Sequence, residues 1–251
     1  MPRRHGAERR RRILAAAAIA LVAAACSSSK DSGNSPTTTL APASTVASAT
    51  TLPTPTSVPL KTTQTPITAV GGAALGTLTA VDGRNTSSVP LPDGVGSTAI
   101  VHARYTGTAN FQVTSVDAAG NELAVVARSV GSYDGTFPVG FINQKANPVA
   151  GIRVVTTGPW HLDIGGAALA PPLSGRGVSG TGDAVLGYTG SKVTAHVSYP
   201  GTSELLISAF ANGAVHILVH TVGPYDGRIQ IPAGPAFISV TAKGKWSMTL
   251  G

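Results

Sequence analysis

The stretch that decides the fold is Val193-Thr194-Ala195-His196-Val197-Ser198-Tyr199. Its Val, Ala, Val and Tyr side chains alternate with Thr, His and Ser, and this period of two is typical of a half-buried β-strand. Short runs bounded by Gly, Pro, Asn and Asp continue the pattern at 216–220, 229–231, 237–241 and 246–250. In the run 216–220 we expect Ile217 and Val219 to lie on the apolar side of the strand. After residue 30 no stretch has the period of an amphipathic helix, so the pattern predicts an all-β fold.

An internal repeat divides this β region in two. Residues 101–107 (VHARYTG) match 195–201 (AHVSYPG), and 130–135 (VGSYDG) match 222–227 (VGPYDG). Residues 158–165 (GPWHLDIG) match 244–251 (GKWSMTLG). Three matches in the same order predict two tandem small antiparallel β-sandwich modules, jelly-roll-like, at 72–170 and 173–251. We expect seven or eight strands in each, with the joint at Ala170-Pro171-Pro172-Leu173.

The residues that recur between the modules have structural explanations. Each Trp begins a last strand and is expected to fill the core, and Tyr105 and Tyr199 are expected at the core edge. The Tyr-Asp-Gly steps suit a hairpin turn in which Asp favours the turn and Gly takes a positive φ. The predicted structural positions are Tyr105, Tyr133, Asp134, Trp160, Tyr199, Tyr225, Asp226 and Trp246.

The N-terminus has the form of an export signal. Residues 1–12 contain six Arg, and an apolar run of 13 residues from Ile13 to Ala25 precedes Cys26, the single cysteine. A membrane span needs about 20 apolar residues, so residues 1–25 are predicted to be a signal peptide. The run ending in Ala24-Ala25-Cys26 resembles the lipobox of bacterial lipoproteins. That resemblance implies a diacylglyceryl group on Cys26 and an anchor on the outer face of the bacterial cell membrane. An ordinary secretory signal is the alternative, and either the general or the twin-arginine route fits.

Residues 26–71 are predicted to be a lipid-anchored disordered linker. From residue 27 to residue 70, 26 of 44 residues are Ser, Thr or Pro. Such a segment has too little apolar surface to offset the entropy of ordering it. It would act as a spacer or as a plain connection.

The charge distribution argues against a nucleic-acid partner. The chain has a formal net charge of +7, but residues 1–25 contribute six basic and one acidic side chain. The remainder carries 12 basic and 10 acidic side chains, a net charge of +2. A nucleic-acid-binding surface needs Lys and Arg clustered on the folded part.

Residues 181–251 also resemble a family of β-sandwich repeats. Their Thr-Gly-Asp-Ala-Val start, Gly-Pro-Tyr-Asp-Gly step and Gly-Lys-Trp-Ser-Met-Thr-Leu end are similar to repeats in secreted proteins and lipoproteins of high-GC Gram-positive bacteria. More distantly they are similar to bacterial pre-peptidase C-terminal domains. The resemblance implies export and a sandwich fold, and it transfers no catalytic residue.

The search for chemistry gives no catalytic set. Gly175–Gly180 spells GxGxxG but lacks the strand before it and the helix after it that a dinucleotide site needs. His216 and His220 would lie about 13 Å apart on a strand, which is too far for one metal ion. We therefore predict no enzyme activity, no cofactor and no metal. The repeated pair His102 and His196, on the polar side of its strand, is the candidate binding face.

These observations predict an exported, lipid-anchored, non-enzymatic surface protein that presents two interaction modules. An envelope protein or a cell-wall glycan is the candidate partner. The alternatives are a passive envelope spacer and an accessory subunit of an exported enzyme or transporter.

Overall fold

The computed structural model describes residues 60–68, 74–141, 147–175 and 177–251. The predictions for the signal peptide, for Cys26 and for the linker before Leu60 fall outside these ranges. Within them, no helix is long and apolar enough to cross a bilayer.

The described residues form 17 β-strands and one short 3-10 helix, Ala167–Leu169. The strands of the first half are β1 Lys61–Thr68, β2 Ala74–Arg84, β3 Ser87–Pro90, β4 Ala99–Tyr105, β5 Asn110–Val116, β6 Glu122–Val130, β7 Tyr133–Val139, β8 Gly151–Val155 and β9 Pro159–Gly165. Those of the second half are β10 Val178–Thr181, β11 Ala184–Tyr188, β12 Val193–Tyr199, β13 Glu204–Ala211, β14 Ala214–Val222, β15 Tyr225–Ile231, β16 Ala236–Ala242 and β17 Lys245–Leu250.

Both halves have the same antiparallel topology. The first half consists of a sheet in the order β1-β2-β9-β4-β7 and a sheet in the order β3-β8-β5-β6. The second half repeats this with β10-β17-β12-β15 and β11-β16-β13-β14. Apart from β1, each half has eight strands in two four-stranded sheets, the jelly-roll arrangement. Each half also has its own apolar core. The predicted fold class, two tandem jelly-roll-like sandwiches, is confirmed.

Strand β1 corrects the predicted linker, which was expected to extend through residue 71. Lys61–Thr68 pairs antiparallel with β2 and adds a fifth strand to the first sheet. The β-branched side chains of Thr62 and Thr63 favour extended backbone. Pro66 is tolerated because β1 lies at the edge of its sheet. Composition alone therefore misidentified a strand as linker.

Each tryptophan lies over a glycine of the neighbouring strand. Trp160 of β9 pairs with Gly83 of β2, and Trp246 of β17 pairs with Gly180 of β10. A Cβ atom on either glycine would overlap the indole ring. Each indole N–H also donates a 2.8 Å hydrogen bond to a backbone carbonyl at the end of the glycine's strand. The tryptophans are buried as predicted, and strand glycines make room for them.

The tyrosines make the same kind of contact with a glycine two residues further along the chain, and this corrects the predicted turn. All five Tyr of the chain are followed by Gly two residues later. Where Tyr133 and Tyr225 begin strands β7 and β15, the ring covers Gly135 or Gly227. The turn glycines with positive φ are instead Gly131 and Gly223, at 86° and 104°.

Tyr105 and Tyr199 are fully buried rather than at the core edge. Their hydroxyls donate to the carbonyls of Thr157 and Lys243, at 2.7 and 2.9 Å. These bonds satisfy the hydroxyl inside the core, as a buried polar group requires.

Both modules have a β-bulge in an edge strand, and in the second module it reverses the expected orientation of Ile217. In β14 the pairing passes from Val219 directly to Ile217, so Leu218 is the extra residue. Ile217 is therefore 67% exposed, whereas Val219 is buried. Strand β6 has the same irregularity between Ala127 and Val125. Since a bulge inserts one residue into the alternation, the expectation that Ile217 faces the core is wrong.

The ring–glycine contact makes a testable prediction for stability. Gly180→Ala should lower the free energy of unfolding by about 1–3 kcal/mol, because the new methyl group overpacks against Trp246. Gly166→Ala is the matched control, since no atom lies within 4 Å of the position of its Cβ. Urea denaturation followed by tryptophan fluorescence measures both variants. Equal stability of the two would contradict the proposed contact.

Candidate functional site

The two histidines predicted from the repeat are each bonded to the aspartate that also recurs. His102 Nε2 of β4 lies 2.7 Å from Asp134 Oδ1 of β7. His196 Nε2 of β12 lies 2.9 Å from Asp226 Oδ1 of β15. Both pairs join neighbouring strands on the outer face of a sheet, and both aspartates are exposed. The structure thus brings together residues for which the sequence predicted separate roles: the histidines as a binding face and the aspartates as turn residues.

In the first module this pair belongs to a larger network of charged side chains. Asp163 of β9 faces His102 Nδ1 at 3.4 Å, Arg104 at 3.2 Å and His161 Nε2 at 3.0 Å. His161 Nδ1 lies 2.7 Å from Asp82 of β2. The network therefore runs across four adjacent strands, β2, β9, β4 and β7.

The second module keeps the His–Asp pair but has small polar residues at the rest of these positions. By strand register, Ser179, Ser198, Ser247 and Thr249 replace Asp82, Arg104, His161 and Asp163. The repeated backbone therefore presents one charged and one hydroxyl-rich sheet face.

The network shifts the pKa values of two of its members. Burial of the His161 ring opposes its charge, but hydrogen bonds to Asp82 and Asp163 outweigh this and raise the pKa of His161. Burial of Asp163 opposes its charge in the same way, and its bonds to His161, His102 and Arg104 outweigh it, so the pKa of Asp163 is lowered. Both ring nitrogens of His161 face carboxylates, an arrangement that suits the imidazolium form.

His216 and His220 lie on the exposed edge strand β14 of the second module. His220 Nε2 lies 3.0 Å from Glu204 of β13, a partner that sequence proximity did not indicate because it comes from the adjacent strand. In the described part of the chain, no group of three or more His, Cys, Asp or Glu side chains is arranged to hold a metal ion.

A groove at the junction of the two modules collects aromatic residues that the repeat does not use. Phe210 of β13 and Phe237 of β16 are direct cross-strand partners. Phe141, just after β7 of the first module, contacts both rings, with centroids 5.2 and 5.4 Å apart. Tyr188 lies in the wall of the same groove, whose volume is about 590 Å³.

The sequence-based predictions do not include these residues as a site, although the sequence contains a signal. Phe210 alternates with the buried Ala209 and Ala211, and Phe237 with Ala236 and Ile238. Both Phe therefore occupy the outward phase of their strands, where polar side chains are usual.

The junction is also held by Asp183, which precedes β11. Its Oδ2 accepts a 2.8 Å hydrogen bond from the Tyr133 hydroxyl of the first module. Its Oδ1 accepts from the Ala242 amide, and its carbonyl from the Thr136 amide, at 3.0 and 2.9 Å. Burial raises the pKa of Asp183. Tyr133, a predicted structural position, thus contributes to the contact between the modules.

Comparison with known proteins adds no function. No family model matches the chain, and no curated protein matches it. Among solved structures, a conserved protein of unknown function from Pseudomonas aeruginosa PAO1 is 12% identical, with 75% of this chain and 87% of that chain covered and a TM-score of 0.23. HutD from Pseudomonas fluorescens SBW25 is 13% identical, with 74% and 86% covered and a TM-score of 0.23. Similarity at this level carries no argument about fold or function.

The pKa shifts predict how pH changes stability. Because the pKa of His161 is raised in the folded protein, its contribution to stability is complete below the pKa of histidine in the unfolded chain, about 6.5. This contribution is lost as the pH rises through the pKa of His161 in the folded protein. Because the pKa of Asp163 is lowered in the folded protein, its contribution to stability is present above the pKa of this carboxyl in the unfolded chain. This contribution is lost as the pH falls through the pKa of Asp163 in the folded protein. The stability lost in His161→Gln should therefore be largest near pH 5–6 and smaller at pH 8.

Urea unfolding at a series of pH values measures this difference. His216→Gln, an exposed strand histidine of the second module, is the control and should show no comparable trend. A His161→Gln difference that stays constant from about pH 5 to 8 would show that the network does not favour the protonated ring.

Proposed function

We propose that this chain is an exported, lipid-anchored, non-enzymatic surface protein of bacteria that presents two β-sandwich modules for binding. The part of the proposal that concerns export and anchoring rests on the basic segment, the short apolar run and Cys26. Two acyl chains on one residue are sufficient for stable membrane anchoring. The Ser/Thr/Pro-rich segment before Leu60 would then hold the modules away from the membrane.

The observation that supports binding is the repeated His–Asp pair, in which both aspartates are exposed. His102–Asp134 and His196–Asp226 occupy the same place in both modules, although the residues around them differ. The pairs lie on open sheet faces, whereas catalytic residues generally lie in a concave site. A polar His–Asp pair that recurs on one sheet of each module fits a macromolecular partner, an envelope protein or a cell-wall glycan.

A passive spacer is the second candidate. It is favoured because the recurring Trp and Tyr residues have a packing role that requires no ligand: each of them covers a glycine. An accessory subunit of an exported enzyme or transporter is the third. All three share the anchor and differ in what the modules contact.

The anchor is tested by Cys26→Ser. The wild-type chain, expressed in a bacterial host that acylates lipoproteins, should partition into the detergent phase of Triton X-114. Cys26→Ser should move to the aqueous phase, because the thiol that accepts the diacylglyceryl group is gone. Ser27→Ala is the matched control and should partition like the wild type. Identical partitioning of Cys26→Ser and wild type would contradict lipidation.

The binding face is tested by a double substitution, His102→Ala with His196→Ala. The full chain carrying Cys26→Ser serves as bait for solubilised envelope proteins and for isolated cell-wall polysaccharide. We expect saturable capture that the double variant loses while its circular dichroism stays that of a folded β protein. The control is His216→Ala with His220→Ala, which removes two other exposed histidines. Capture unaffected by the first pair would exclude this face, and no saturable capture at all would favour the spacer.

A further inference from the structure

We propose that the groove at the module junction binds the aliphatic chain of an uncharged lipid. This site is separate from the His–Asp faces and goes beyond the proposed function. Only the source of the ligand, a neighbouring membrane, rests on the proposed anchor.

The size and lining of the groove indicate a small molecule rather than a macromolecule. Its volume of about 590 Å³ lies within the range of small-molecule sites, about 300–1,000 Å³. Such sites are mainly apolar and occur preferentially where domains meet. The groove fits both criteria: it lies between two sandwiches, and its walls include Phe141, Leu173, Phe210 and Phe237.

We expect an uncharged ligand, because the described lining of the groove provides no charged side chain to pair with a charged one. Among the described residues that line it, none is Asp, Glu, Lys, Arg or His. A charged group buried there would lose its hydration without compensation. The polar side chains of the lining are Ser174, Tyr188, Thr189 and Asn212, and the Tyr188 hydroxyl is already engaged, because it donates to the Ser191 carbonyl.

An adjacent cavity of about 370 Å³ shares Phe141, Ala167 and Phe237 with the groove and is also lined by Asp93. A carboxylate on that side adds to the case against an anionic head group.

The orientation of the rings favours a flexible chain over a flat ring. The Phe141 ring is inclined at 60° to Phe210 and at 81° to Phe237. Tilted and edge-to-face rings form a corrugated wall, whereas a sugar ring or a planar aromatic ring would stack on an open, flat aromatic face. A polymethylene chain adapts to such a wall, and each CH₂ group that leaves water there favours binding. A glycan would also need more hydrogen-bonding partners than this lining provides.

The test uses residues 26–251 with Cys26→Ser, so that neither an acyl group nor the apolar run Ile13–Ala25 offers the dye a second apolar site. The probe is 1-N-phenylnaphthylamine, a neutral dye whose fluorescence rises in apolar surroundings. The competitors are monolaurin, laurate with the same chain but a charged head, and chitotriose as a glycan. We expect saturable dye binding, displacement by monolaurin, weaker displacement by laurate and none by chitotriose. Equal displacement by laurate would overturn the uncharged ligand, and displacement by chitotriose would overturn the aliphatic one.

Two substitutions test whether the dye binds in the groove. Ala167 is exposed and lines the groove, so Ala167→Trp should fill it and weaken dye binding about tenfold or more, a loss of about 1.4 kcal/mol. Ala118→Trp, on the exposed turn between β5 and β6, is the matched control and should bind as the parent does. Equal binding by the two variants, or no saturable binding by the parent, would overturn the site.

A second pair guards against misfolding of the first. Thr189 is exposed and lines the groove; Thr189→Asp adds a charge there, and Thr189→Asn is its neutral equivalent. Only the Asp variant should lose monolaurin displacement, because burying its carboxylate against an alkyl chain is unfavourable. Partner capture by the His–Asp faces is measured separately, so either proposal can fail alone.

Discussion

An aromatic ring lying over a glycine is the contact on which both modules depend. Trp160 over Gly83 and Trp246 over Gly180 join the last strand of each sandwich to its first jelly-roll strand. These pairings connect residues far apart in the chain, so they carry the largest loop-closure entropy of the module. The ring covers backbone that a glycine would otherwise expose, and the indole N–H satisfies a carbonyl at the strand end. The five Tyr-x-Gly steps apply the same packing between residues that are two apart in the chain.

The two modules share this framework and differ in what they display. Strand order, the edge-strand bulge and the His–Asp pair are common to both. The charged network that includes Asp82 and Asp163 is present only in the first module. In the second module, serine and threonine occupy the equivalent positions. The junction uses yet another set, Phe141, Asp183 and their partners. A duplicated sandwich has thus kept its packing contacts while its outer faces and its junction supply distinct surfaces.

Much of the fold could be predicted because period-two alternation and the repeat are local signals. Three of the errors show their physical causes clearly. The Thr-rich segment at β1 is polar enough to be taken for linker, and only pairing with β2 makes it a strand. The bulge at Leu218 shifts the alternation, which sends Ile217 outward. The Tyr-Asp-Gly step has the composition of a turn, but its glycine is required by the tyrosine ring. Composition does not distinguish a glycine needed for φ from one needed for space.

The sequence by itself determined the all-β class, the duplication, the buried tryptophans and the histidines that recur. Each follows from spacing along the chain, and spacing of two residues assigns a side chain to one face of a strand. Only the tertiary structure decided which residues meet: His102 with Asp134, and Phe141 with Phe210 and Phe237. The reason is that strand order and module packing join residues from separate strands and modules. Both surfaces proposed for binding arise from these long-range contacts.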